Sequence, residues 1–312
     1  MFHLGFIRGL LVVTAVGVFA AAVPARGEET FAVTKGIPYA QRGETSLLAD
    51  VYVPKGEGPF PGVLVVHGGA WMAGNKSRMA NTAKLLAEHG YTAVSINYRL
   101  APQHVWPAQI EDCKTAVRWM RQNAAQYKID PTRMAGYGYS AGGQLVALLG
   151  TTDATCGLEG LETVKTDPNE KPAGVQPNDV TAACDTRLQC IVAGGAPCDF
   201  RLLPPRSPRL SYWLGGTRLD KPLLYEQASP ANFISRDDPP MFFYHGAVDA
   251  VVPLDSPQNM AKQMTAAGCQ ATVYVVPDAG HVAAFLDMTA ASEAVKFLDA
   301  QLKPPAAKPQ AQ

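Results

Sequence analysis

The stretch "RMAGYGYSAGGQLVALLG", residues 133–150, sets a serine between glycines where one kind of backbone gives way to another. Its first seven residues read as a strand and "AGGQLVALLG" as a helix, which puts Ser140 at the seam between Gly138 and Gly142. A side chain held at so tight a turn needs neighbours without bulk, because the backbone approaches itself closely and enters strained φ/ψ regions. The hydroxyl is then presented at a helix N-terminus, where unpaired N–H groups and the helix dipole favour developing negative charge. A plain capping serine at a helix start gives the same short string, so the weight rests on what surrounds it.

Around this seam the chain alternates short apolar runs with helical patterns, which predicts a mostly parallel sheet covered by helices on both faces. "LLADVYVP", "GVLVVHGG", "YTAVSINYR", "LQCIVAGG", "MFFYHG" and "ATVYVVP" read as further strands. Helices are expected over Asn81–His89, stopping at Gly90, over Ala108–Tyr127, where apolar residues recur every three or four positions, in "SPQNMAKQMTAAG", and over Ala290–Leu302. Two segments, 151–187 and 198–237, break the rhythm and read as loop insertions over one end of the sheet. One domain over residues 28–302 is expected, followed by a disordered tail at 303–312.

With 312 residues and 47% hydrophobic content the chain can fill a sizeable core, and its 27 basic and 27 acidic residues leave no global field to draw a nucleic acid. Arg8, the apolar run Leu10–Ala22 and the small residues that follow predict an export signal over residues 1–27, cleaved between about Val23 and Glu28, with no stable membrane insertion afterwards. An uncleaved anchor is the alternative. Cys113 and Cys269 are expected as buried thiols. Cys156, Cys184, Cys190 and Cys198 bracket the loop-rich stretch, where one bridge is expected, with Cys156 and Cys184 as the leading pair.

A serine hydroxyl becomes nucleophilic when a base removes its proton and a third group holds that base. At a strand-to-helix elbow of this type the partners follow in the order serine, acid, histidine. Of the histidines, His281 in "VVPDAGHVAAF" follows the last strand and leaves room for an acid before it, whereas His245 is expected to satisfy a hydrogen bond in its own turn. Asp249 in "MFFYHGAVDAVVP" comes just past a strand and is the expected acid. Asp199 is the runner-up, and Asp278 stands too near His281 in sequence. "LVVHGGAWMAGNK" ends a strand in small residues, so Gly69 and Ala70, with the N–H of Ala141, are the candidate donors to an oxyanion. Trp71 reads as wall or core. Arg201, Arg206 and Arg209 read as solvated loop residues, with contact to an acidic substrate as the alternative. The histidines lack H-E-x-x-H spacing and the cysteines lack paired C-x-x-C spacing, so neither a metal nor an organic cofactor is expected.

With "HGGAW", "NYRLAP", "GYSAGG", "HGAVDAVVP" and "GH" in this order, the chain resembles the α/β-hydrolase superfamily over about residues 30–302. Within it the sequence is similar to hormone-sensitive-lipase-like carboxylesterases and to bacterial feruloyl and acetylxylan esterases. The resemblance implies an α/β-hydrolase fold, a nucleophile at Ser140, an acid at Asp249, a base at His281 and oxyanion donors at Gly69, Ala70 and Ala141. It departs from many relatives in having Ala70 where they carry a third glycine, and in a long 151–187 segment. The expected activity is hydrolysis of short-chain acyl or aryl esters, such as acetyl or feruloyl esters of a polysaccharide. An amide hydrolase with the same three residues, or a binding module on a hydrolase scaffold, are the alternatives.

Overall fold

The computed structural model describes residues 30–153 and 185–303, together with Met1 and Leu158. The expected leader beyond Met1, the tail beyond Lys303, most of the 151–187 segment, and with it Cys156 and Cys184, lie outside the described residues.

Eight strands form one sheet: β1 (Phe31–Arg42), β2 (Thr45–Pro54), β3 (Phe60–Val66), β4 (Thr92–Ile96), β5 (Ile129–Tyr139), β6 (Cys190–Gly194), β7 (Met241–Gly246) and β8 (Ala271–Val276), in spatial order β1-β2-β4-β3-β5-β6-β7-β8. β1 and β2 pair antiparallel with each other, as do β2 and β4, and every pairing from β4 through β8 is parallel. Alternation along β3 shows how the sheet splits its apolar side chains: Val63 and Val65 enter one core, Leu64 and Val66 the other. The first core packs under helices α1 (Ala80–Glu88), the short α7 (His281–Phe285) and α8 (Met288–Leu302). The second packs under α2 (Ala108–Gln122), α3 (Ala141–Thr151) and α6 (Asp255–Ala266). Both faces are thus covered, which is why the inner strands β4, β6 and β7 are buried along their whole length and β3 along all but its first residue.

Two expectations need correction, and one strand was missed. β1 was not anticipated, because most of its residues face solvent and its alternation is broken by irregularities between Thr34 and Ile37 and between Pro38 and Ala40. The helix expected to reach Tyr127 ends at Gln122. Ala124 and Tyr127 remain buried against the same core from a turn, so the apolar spacing outlasts the helix. The strand expected from Arg133 begins at Ile129.

Residues 198–237 hold the short helices α4 (Ser211–Leu214) and α5 (Pro222–Gln227), with 3-10 turns at Phe200–Leu202 and Pro230–Asn232. Trp213, fully buried, fastens this segment to the domain by stacking on Trp71 at 3.7 Å and 1° between planes. The thiols of Cys113, Cys190, Cys198 and Cys269 are free and buried. Among the described residues no helix is long and apolar enough to cross a membrane.

Parallel strands bring their carboxyl ends to one edge of the sheet, and the loops leaving that edge are where a ligand site forms. The loops after β3, β5, β6, β7 and β8 begin with residues 67, 140, 195, 247 and 277, and the candidate residues lie in four of them.

Candidate active site

β5 ends at Tyr139 and α3 begins at Ala141, so the reversal falls on Ser140 alone, at φ 56° and ψ −120°. That conformation is strained for a residue with a Cβ, and its surroundings hold it. The Ser140 N–H donates to Gly194 O at 2.8 Å, and Gln144 N–H donates back to Ser140 O at 3.0 Å. The flanking glycines are required by space: a Cβ on Gly142 would stand 2.1 Å from Val66 O, and one on Gly138 would stand 2.2 Å from Gly142 O. Ala141 is the first residue of α3, so its N–H has no intrahelical acceptor.

The loop after β3 turns through positive φ at Gly69 (129°), Ala70 (50°) and Trp71 (57°). Three contacts hold it. The buried His67 ring stacks on Tyr98 at 4.2 Å and sends Nδ1 to Gly68 O at 2.8 Å, which makes Nδ1 the protonated nitrogen. Burial lowers the His67 pKa to about 4, so the ring is neutral. Tyr212 Oη donates to Ala70 O at 2.8 Å from the 198–237 segment. Trp71 Nε1 donates to Gln144 Oε1 at 2.9 Å, and Gln144 Nε2 donates on to Ala228 O at 2.7 Å.

Asp249 and His281 arrive from the loops after β7 and β8. Val251 and Val252 N–H donate to Asp249 Oδ1 at 2.8 and 2.9 Å, while His281 Nδ1 lies 2.6 Å from Oδ2. Burial pushes the Asp249 carboxyl up, but the Val252 N–H, His281 and the Val251 N–H together hold it below the usual carboxylate range. His281 Nε2 lies 2.9 Å from Ser140 Oγ. With Nδ1–H donating to an ionised Asp249, Nε2 is left as the acceptor for the serine hydroxyl. The arrangement can therefore draw a proton from Ser140 Oγ and return it to a nearby oxygen.

All six sequence-derived candidates meet at this edge, and the carboxylate on His281 is Asp249, as the hydrogen bond to Nδ1 requires. Asp199 instead accepts from the Nε and Nη2 of Arg201 at 2.8 and 2.7 Å. His245 Nε2 contacts Val252 O at 2.8 Å, and it also stands 3.2 Å from Asp249 Oδ2. Sequence reasoning missed Tyr139, whose hydroxyl donates to His281 O, together with Gln144 and Tyr212. Their partners lie between 73 and 142 residues away, and no local signal marks them.

Two hollows meet at Ser140. One, of about 860 Å³, runs between Trp71, Phe200, Leu210 and Tyr212 on one side and α6 on the other, with Arg209 in its wall. The other, of about 310 Å³, is lined by His281, Val282 and Phe285 across from Gly69, Arg78 and Met79. Among the described residues no group of three or more His, Cys, Asp or Glu side chains could hold a metal ion.

The BD-FAE family profile matches residues 49–264. The chain is similar to the Mycobacterium tuberculosis proteins named "Probable carboxylic ester hydrolase LipM", at 33% identity over 70% of this chain and 48% of that protein, and "Esterase LipC", at 30% over 73% and 54%. It thus spans about half the length of these curated relatives. A solved carbohydrate esterase from gut microbiota superposes with a TM-score of 0.74 at 27% identity, covering 89% of this chain and 99% of that one. The parallel sheet, the elbow at Ser140 and the matched profile together make this chain a member of the BD-FAE family with an α/β-hydrolase fold.

Proposed function

We propose that the protein is an exported serine carboxylesterase that hydrolyses short-chain acyl or aryl esters through an acyl-enzyme. One observation carries the reading: a single imidazole bridges Ser140 Oγ at 2.9 Å and a buried carboxylate at 2.6 Å. Ser140 Oγ attacks the ester carbonyl as its proton passes to His281 Nε2, and Asp249 stabilises the imidazolium that forms. The N–H groups of Gly69, Ala70 and Ala141 receive the oxyanion. Collapse of the tetrahedral intermediate breaks the bond to the alcohol oxygen, which takes the proton from His281. Water, deprotonated by the same histidine, then releases the acid.

This sequence assigns the two hollows. The leaving oxygen must lie within reach of His281 Nε2, so the alcohol component occupies the smaller hollow that His281 lines, and the acyl group points into the larger, apolar one. About 860 Å³ exceeds what an acetyl group needs and accommodates an aryl acid such as ferulate. Acetyl or feruloyl esters of polysaccharide are the proposed substrates, supported by the likeness to a gut carbohydrate esterase. Export is supported by Arg8 and the apolar run that follows it.

The test is turnover of 4-nitrophenyl acetate and methyl ferulate against the matched anilides and formyl-kynurenine. The reading expects kcat/KM for esters to exceed that for amides by at least about two orders of magnitude, a gap of roughly 3 kcal/mol in transition-state stabilisation. Amide turnover above ester turnover would replace it with an amidase.

A further inference from the structure

We propose that Arg78 selects esters whose alcohol component carries a carboxylate, an assignment that rests on the esterase reading above. Arg78 is exposed and lines the smaller hollow together with Ser140 and His281, where the leaving alcohol sits. Among the described residues no acidic side chain lines that hollow; beside His281, Arg78 and Ser140 its walls are mainly apolar, including Met79, Val251, Val282 and Phe285. Among the described residues the Arg78 guanidinium has neither an ion pair nor a side-chain hydrogen bond.

The backbone that presents it is fixed. Residues 76–79 form a 3-10 turn capped by Asn75, whose Oδ1 accepts from Ser77 N–H at 2.9 Å. Lys76 N–H donates to Asn97 Oδ1 at 2.9 Å, Ser95 Oγ donates to Lys76 O at 2.8 Å, and Met79 is buried. The neighbouring cation is already used, since Lys76 Nζ lies 3.2 Å from Asp50 Oδ1. Arg78 is left as a planar donor fork facing the site, and that geometry suits a carboxylate. Its charge reaches inward as far as His67, where it adds to the larger effect of burial in lowering the pKa. An anion beside the ester oxygen would sit in this field. The chemical class is an acyl ester of a hydroxy acid, which among sugars means an acylated uronic acid.

The experiment compares two aryl acetates that differ only in the leaving group: 3-carboxy-4-nitrophenyl acetate, anionic at pH 7, and its 3-carbamoyl analogue, neutral and of similar size. Both deliver the same acetyl group, so the change in the ratio of their kcat/KM values between wild type and variant isolates recognition of the leaving group by Arg78. Wild type is expected to favour the carboxylate about tenfold at low ionic strength and less in salt, as a partly exposed charge pair is screened. Arg78→Gln should bring the ratio close to that of hydroxide-catalysed hydrolysis of the two esters, and Arg78→Lys should keep part of the preference. An equal ratio in wild type and Arg78→Gln would overturn the role of Arg78 while leaving the esterase reading intact. Failure of wild type to hydrolyse either ester would remove both.

Discussion

At the scale of single residues, the candidate site sets one partly open histidine beside two that burial keeps neutral. His281 stands partly open between Ser140 and Asp249, whereas His67 and His245 are fully buried and burial lowers the pKa of each. His67 has a consequence for stability. Unfolded, a histidine binds its proton near pH 6.5. In the fold His67 does so only near 4. Between those values the unfolded chain holds more protons, so stability falls as pH drops from about 6.5 to about 4, by up to roughly 3 kcal/mol from this residue. His245 contributes with the same sign, and Asp249 acts below that window, because its carboxyl is held under the usual range. Urea midpoints measured between pH 7 and pH 4 should show this slope, and His67→Asn should flatten it. Equal slopes in the two proteins would mean that His67 titrates normally. Ser140, Asp249 and His281 were legible in the sequence because each follows the end of an apolar run. Tyr139 and Tyr212 were not, since what they hold is a backbone carbonyl 142 residues away in both cases.

At the scale of elements, the strand-to-helix elbow depends on bare backbone. Gly142 packs against the carbonyl that ends β3, and a Cβ there would meet Val66 O at 2.1 Å, an atom fixed by the sheet. Gly142→Ala should therefore destabilise the protein by at least about 3 kcal/mol, as a displaced core backbone does. Gly43→Ala is the control: its φ of 56° is unfavourable for alanine, but nothing lies within 4 Å, so about 1 kcal/mol is expected. Thermal melts of the two variants check the contrast, and similar losses in both would show that the elbow can yield. The buried strands were readable because both of their faces are apolar. β1 was hidden because it lies at the sheet edge, largely exposed, and its pattern is interrupted twice. The early end of α2 was hidden for the opposite reason, since Ala124 and Tyr127 continue its buried face after the helix has stopped.

At the scale of the whole molecule, one sheet edge gathers residues from loops separated by more than 200 positions, from His67 to His281, and the 198–237 segment locks over them. The stack of Trp71 on Trp213 joins the loop of candidate oxyanion donors to that segment, so the wall of the larger hollow and the donors are held by the same aromatic contact. Composition could not foretell this. Prolines and short apolar clusters marked 198–237 as an insertion, but its position over the site depends on long-range pairs such as Trp213 Nε1 with Gln109 Oε1 at 2.9 Å. What unites these features is the claim that Ser140 is acylated during turnover. The most direct measurement is covalent labelling by a fluorophosphonate, with the modified residue identified by peptide mass analysis and 4-nitrophenyl acetate hydrolysis followed in parallel. The account predicts one label per chain, on Ser140, with hydrolysis lost in step with labelling and both absent in Ser140→Ala. Hydrolysis that persists after complete labelling, or that survives in Ser140→Ala, would contradict it.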